Sequence, residues 1–578
     1  MLDAFLEDIE EGAITAKRAI HLASRASKRM RHLGVVDQNV EKLARFGRSR
    51  TGKRRGSNAA RDLHRWIHRD KRLLPVEVST TRVPIRLRKR TKTHGAKKVE
   101  HCWVDHPVVL FSSWLVTIMN LFPRYFLGGY GPGEIDKYRR MFESFWSNYR
   151  NVDGQHEVYQ KPLCDLGHCI PLALHGDEGR GLAKTPLMVL SIQTIIPSTG
   201  ENDLSQAQHS YLTRLLYSLI PSSWYSQKEE TLDFLLGALA TDLREGFNSG
   251  IVVNVGGQQE VKFFPVIVAI KGDWPFVRKA CHLSSGYRSK RVCHLCPSEE
   301  WWDVSANGQA RSWSGPSPCP FKQKWSPLRS IPGCDNPDRI QPDLLHVWNL
   351  GVGGDMCAST ILMLSNKVRV IFQGRSLQAC LDDAYGKFHS WCVDNRSTTS
   401  IMSFEKTKFK VIQPNQFPRG CGKAYDTALL CKWLHFELEQ HCLESEASEH
   451  QDLLQLLRWT FSAADVFLRT IYNEGVWMPR ASAEAVVRAG FALGEGYTAL
   501  ASLCASRGWR YYRIRPKVHL LPHIVRDVEK QLGNPRASWI ANPVIYAVWS
   551  DEDYIGRISR LARRIRAGGL QVVRRLGR

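Results

Sequence analysis

FFPVIVAIKGDWPFVRKACHLSSGYRSKRVCHLC, residues 263–296, sets an apolar run against a carboxylate and follows it with a cysteine pair. The run 263–270 is short and rich in β-branched residues, so it reads as a strand buried on both faces rather than as a helix. It ends at Lys271, Gly272 and Asp273. CIPLALHGD, residues 169–177, has the same form and ends at Gly176 and Asp177. In each, a glycine lets the backbone open out just before the acid. If the two strands are neighbours in one sheet, their aspartates approach each other at one edge. Paired carboxylates repel unless divalent cations lie between them, which is the construction of two-metal phosphoryl-transfer sites. A Gly-Asp pair after a strand is also an ordinary turn.

Around these runs the pattern divides the chain. Residues 4–30 have apolar positions at helical intervals, and the segment to about 95 reads as helical and basic. PLMVLSIQTII (186–196) and GIVVNV (250–255) read as further strands, with helices over AQHSYLTRLLYSLI (207–220) and KEETLDFLLGALATDLREGF (228–247). Residues 281–345 are rich in turn formers. From there to about 510 the spacing is helical, including DLLHVWNLGVGGDMCASTILML (343–364) and LLQLLRWTFSAADVFLRTIY (453–472). The expected units are 1–100, basic, helical, partly disordered and DNA-binding; 101–280, the first part of an α/β core; 281–530, mostly helical; and 531–578, a final helix with a basic tail.

The 578 residues carry a net charge of +24, which points to a polyanionic partner, with nucleic acid leading. The first 100 residues hold 26 Lys and Arg against 11 Asp and Glu. TGKRRG (51–56) and RLRKRTK (86–92) are compact clusters suited to phosphate contact or nuclear import. No run of eighteen apolar residues is present, and MLDAFLEDIEEG is acidic where a secretory leader is basic, so an intracellular protein without a membrane partner is expected. Fifteen irregularly spaced cysteines fit reduced thiols and one metal site better than a disulfide framework.

WSDEDYIGRISRLARR (549–564) offers a third acid. Ser550 suits the N-cap, Asp553 the reciprocal capping position, and Asp551 complements the helix dipole. Glu552 shares a face with Ile555, Gly556 and Ser559, where a helix can approach a sheet edge. Spacing alone does not separate Glu552 from Asp551.

HGDEGRG, KGDWPF, CHLC, DLLH, PKVHLLPH and WSDEDYIG, in this order, resemble eukaryotic cut-and-paste DDE transposases with a ribonuclease-H-like core, especially the CACTA-type (Tnp2-like) group and its Transib relatives, over residues 165–560. The resemblance implies a ribonuclease-H-like mixed sheet interrupted by a large all-helical insertion. It implies an acidic triad of Asp177, Asp273 and Glu552 binding two Mg2+ or Mn2+ ions, with cleavage and strand transfer of DNA. It places Asp343 and His346 near the scissile phosphate. It also implies one structural zinc shared by Cys293, Cys296, His519 and His523, although Cys281, His282, His294 and Cys319 compete as ligands. Pro522 is expected to start a helix, leaving His519 in the preceding loop. Arg563, Arg564, Arg566, Arg574, Arg575 and Arg578 follow the third acid where DNA phosphates would pass, and Trp301, Trp302 and Trp313 are candidates to stack on bases or pack around the zinc.

DNA ends and target DNA are the implied partners, the nucleus the implied location, and a homodimer or higher oligomer the family expectation. The rival readings are a transposase-derived DNA-binding protein without catalysis and a metal-dependent nuclease without strand transfer. No zinc-finger or helix-turn-helix pattern is evident in the first 100 residues.

Overall fold

A computed structural model describes residues 16–32, 34, 36–45, 76–90, 97–160, 165–181, 185–200, 202–204, 210–226, 230–286, 289, 291–298, 319–413, 415–444 and 450–564. Two helices, α1 (Ala16–His32) and α2 (Gln38–Arg45), come first and are tied by Arg31 Nε to Glu41 Oε1 at 2.6 Å. An antiparallel ribbon follows, β1 (Ser79–Arg90) with β2 (Lys97–Val108). The segment expected to be helical as far as residue 95 therefore contains a strand. Val83 and Ile85, both fully buried, recur at a period of two between Arg82, a buried Pro84 and Arg86, and that pattern outweighs the helix formers around it.

Helices α3 (Phe111–Leu121) and α4 (Ile135–Val152) lead into the sheet. Its strands are β3 (Cys169–Arg180), β4 (Pro186–Thr194), β5 (Leu215–Pro221), β6 (Ile251–Val255) and β7 (Gln259–Gly272), with α5 (Glu230–Ser249) between β5 and β6. The spatial order is β5-β4-β3-β7-β6. β3 runs antiparallel to β4 and parallel to β7, while β4–β5 and β6–β7 are antiparallel. The chain is thus mixed α/β around one mixed sheet. The helix expected over 207–220 is one turn, Ser210–Thr213, followed by β5. Its apolar residues serve two faces of an edge strand rather than one face of a helix.

Both faces of the sheet are covered, so β3 and β7 can be continuously apolar. β4 shows how: Met188, Leu190 and Ile192 join the core under α3, α4 and α5, whereas Leu187 and Val189 face Tyr554, Ile555 and Ile558 of the last helix.

After α6 (Trp274–Ala280) and a turn-rich stretch, a helical block builds its own core around Trp348, Trp433, Phe461 and Tyr497. It comprises α7 (Gly353–Met363), α8 (Leu377–Asp394), α9 (Ala424–Glu444), α10 (Gln451–Asn473), α11 (Arg480–Ser506) and α12 (Pro516–Leu532). Within the run Leu345–Val368 an 18-residue window has a mean hydropathy of 1.2 and is apolar enough to cross a bilayer, but 94% of that window is buried inside the protein. A two-stranded ladder, β8 (Trp477–Pro479) with β9 (Trp539–Ala541), precedes the final helix α13 (Trp549–Arg564).

Candidate metal-dependent active site and zinc centre

The parallel pair β3–β7 is in register at Gly176 and Gly272, so Asp177 and Asp273 come side by side, although β3, expected to end at Asp177, runs on to Arg180 with Asp177 still paired to Val189 of β4, and only Asp273 leaves its strand. Phe276 explains both glycines. A Cβ at Gly176 would lie 2.3 Å from the Phe276 ring, and one at Gly272, whose φ is +151°, would lie 2.6 Å from that ring. The ring lies across the two strand ends and sets where the acids emerge.

Asp273 is also the N-cap of α6, its Oδ1 accepting the Phe276 N–H at 2.8 Å. One carboxylate oxygen is therefore fixed by the backbone. Burial, and next the charge of Asp177, push the Asp273 pKa up to about 6. The third acid comes from α13, which packs on β3. Burial first, and then the neighbouring carboxyls of Asp177, Asp343 and Asp273, hold the Glu552 carboxyl well above the usual range. The structure thus brings Asp177, Asp273 and Glu552 to one edge of the sheet.

His346 belongs to the same edge. Asp343 Oδ2 accepts from its Nδ1–H at 2.6 Å and from its backbone N–H at 2.9 Å, while Asp343 Oδ1 accepts from Leu345 and Val548 N–H, both at 3.0 Å. The ring is thereby oriented with Nε2 3.7 Å from Glu552 Oε1. Burial lowers the His346 pKa, but Asp343 outweighs it and the net shift is upward. Lys517, at the start of α12, feels both Asp273 and Asp343; burial first and then Arg515 lower its pKa to about 8.

Asp551 is separated from Glu552 by what it touches. It is fully buried, with Oδ1 3.0 Å from Arg214 Nε and Oδ2 3.1 Å from both Arg214 Nη2 and Lys271 Nζ. Burial alone would raise its pKa, yet Arg214, Lys271 and His175 hold it well below the usual carboxylate range. Arg214, Lys271 and His175 are themselves buried. Sequence reasoning missed these three. The available signal was polarity inside otherwise apolar strands, since His175 precedes Asp177 by two residues and Lys271 precedes Asp273 by two, each on its acid's own face. Ser550 lies inside the first turn of α13 rather than at its cap, and Asp553 accepts from Ser210 Oγ at 2.6 Å and Arg557 Nε at 2.5 Å.

The cysteine and histidine pairs form a second centre. Cys293, Cys296, His519 and His523 are buried, with ligand atoms within 4.8 Å of one another. Cys293 Sγ lies 3.3 Å from His523 Nε2, Cys296 Sγ 3.4 Å from His519 Nε2, and the two Nε2 atoms are 3.3 Å apart. A tetrahedral zinc with ordinary bond lengths has N···N edges of about 3.3 Å and S···N edges of about 3.6 Å, so the donor set fits zinc in spacing and in chemistry. The helix carrying the histidines starts at Pro516, not Pro522. Pro516 takes the favourable first-turn place, and Pro522 is accommodated inside the helix, so both histidines lie on one helical face. The competitors are engaged elsewhere: His294 Nε2 is 2.6 Å from the Ile340 carbonyl, His282 pairs with Asp233 at 2.8 Å, Cys281 is in the sheet core, and Cys319 is exposed.

No family model matches the chain, and no curated protein matches it. Arg563 is exposed at the end of α13, and Arg564 is that helix's last residue. Trp301, Trp302, Trp313, Arg566, Arg574, Arg575, Arg578 and the 51–56 basic cluster lie outside the described residues.

Proposed function

We propose that the chain is a DDE-type DNA transposase that cleaves and joins DNA strands with two divalent ions. The observation that carries this reading is the meeting of Asp177, Asp273 and Glu552 at one sheet edge, from two adjacent parallel strands and a helix that follows a long helical block. On this reading the sheet is a ribonuclease-H-like core and the block is its insertion. The order of the six motifs and the net charge of +24 agree with DNA as substrate.

Three carboxylates are a hard oxygen donor set suited to Mg2+ or Mn2+. Such ions, when bound, activate water or a 3′-hydroxyl and stabilise the departing oxygen. The protein's own groups do the rest. Phe276 and the α6 cap hold Asp273 in place, and the ion cluster at Asp551 seats the helix that carries Glu552. His346, held by Asp343, presents Nε2 beside Glu552, where a protonated ring donates to a phosphate oxygen. Lys517 adds a cation at the same rim. The Cys2His2 cluster keeps no open coordination position, so zinc there would be structural, joining the segment after α6 to α12. Nuclear location and paired protomers accompany the proposal.

The test is incubation of the protein with Mn2+ and DNA carrying the terminal repeats that flank its own genomic locus. Joined products that disappear in Glu552→Gln are expected. Hydrolysis without joining would make it a nuclease, and binding without any metal-dependent product would make it a DNA-binding protein that has lost catalysis.

A further inference from the structure

We propose that the β1–β2 ribbon is a docking arm whose basic outer half seats in a groove of the duplex beside the acid site; this rests on DNA being the substrate. The two halves of the ribbon differ sharply. Its inner half is anchored, with Val83 and Ile85 fully buried. Its outer half pairs Arg86, Arg88, Lys89 and Arg90 of β1 with His101, Val99, Lys98 and Lys97 of β2. No Asp or Glu occurs between residues 79 and 99.

Register shows which way the arm points. At its base the Val109 N–H donates to the Tyr217 carbonyl at 2.9 Å, and His106 Nε2 is 3.0 Å from Ser218 Oγ, both in the middle of β5. Farther out, Ile85 bridges Tyr225, past the last residue of β5, Pro221. Pro221 pairs with Leu187, and Leu187 pairs with Gly179, two residues beyond Asp177. The ribbon therefore runs along β5 toward the end of the sheet where the acids emerge. Its charged half extends on from there, by about 17 Å between Ile85 and Arg90 at the usual strand rise.

A two-stranded ribbon fits the major groove of B-form DNA, and a ribbon of strongly positive sequence suits the phosphates that line that groove. Trp103, 49% exposed, and Arg82, 5.8 Å from its ring, lie behind the charged half. An RNA duplex is the poorer partner, because its major groove is too narrow for such an element.

The experiment uses the full chain without divalent metal and a short random-sequence DNA duplex. R88Q/R90Q/K97Q/K98Q should weaken binding about tenfold or more and make the slope of log K against log salt shallower by about 3 to 4, at about 0.9 per phosphate contact. R88K/R90K should keep both affinity and slope, which separates lost charge from lost folding. Unchanged affinity and slope in the four-fold variant would overturn the proposal. So would an equal loss on neutralising Arg369, Arg375, Lys406 and Lys410 of the helical block, or equal affinity for an RNA duplex of the same length. Binding through the arm without any metal-dependent product would contradict the transposase reading while leaving the arm in place.

Discussion

Asp551 and Glu552 are adjacent on α13, yet Asp551 is sealed against Arg214 and Lys271 while Glu552 reaches Asp177. Successive helical residues point about 100° apart, so one turn of helix supplies both an anchor and a ligand. Asp551→Asn should leave two buried cations without their counter-charge and cost about 3–5 kcal/mol, seen as a large fall in Tm. Glu552→Gln strands no buried counter-charge, because the raised pKa already keeps this carboxyl largely neutral without metal, so Tm should stay near the parental value while metal-dependent cleavage is lost. A stable Asp551→Asn that no longer cleaves, beside an active Glu552→Gln, would exchange their roles.

Asp273 has two tasks, capping α6 and completing the acidic edge. Asparagine caps as well as aspartate, whereas alanine forfeits about 1 kcal/mol. Asp273→Asn should therefore melt near the parental temperature and Asp273→Ala below it, with both inactive. Parental cleavage by Asp273→Asn would remove this residue from the site.

The purified protein should contain one zinc per chain by elemental analysis. Cys293→Ser or His523→Ala should release it and lower Tm, because ligand binding by a folded-state site contributes directly to stability. Retained zinc in both variants would assign the metal to other residues.

His156 gives the acid limb of stability a defined contribution. It is fully buried; its Nδ1 accepts the Val158 N–H at 3.1 Å and its Nε2 is 3.3 Å from the Ile267 carbonyl, so a second proton has no place. Burial first, and Arg339 next, lower its pKa to about 3. The unfolded chain then binds the extra proton below about pH 6.5, so stability falls as pH drops from there toward about 3. His156→Asn should show a flatter loss of Tm between pH 6.5 and 4, and an identical slope would contradict the assignment.

The acids were legible because each ends a run whose apolar character is visible in one dimension. Asp273 follows the end of a buried strand, Asp177 stands where the buried part of β3 gives way to its more exposed last residues, and Cys293 and Cys296 have a recognisable spacing. The choice of Glu552 over Asp551 was not legible, since it depends on Arg214, which is 337 residues away in sequence. The helix start was misplaced because two prolines compete for it and only packing selects Pro516 over Pro522. Strand β1 was hidden in a basic segment, where the buried stretch is as short as Val83, Pro84 and Ile85 and the cations around it obscure the pattern. Helical content in the block after residue 343 was plain from spacing, because helices such as α10 bury one face against their neighbours, although α7 is buried on every side.

The central claim is that Asp177, Asp273 and Glu552 hold the ions that cut DNA, and anomalous diffraction from crystals soaked in Mn2+ tests it most directly. Two peaks about 4 Å apart, each bonded to carboxylates of these three residues, are expected. Absence of manganese from this edge at saturating concentration, or manganese bound only at other groups, would contradict the account.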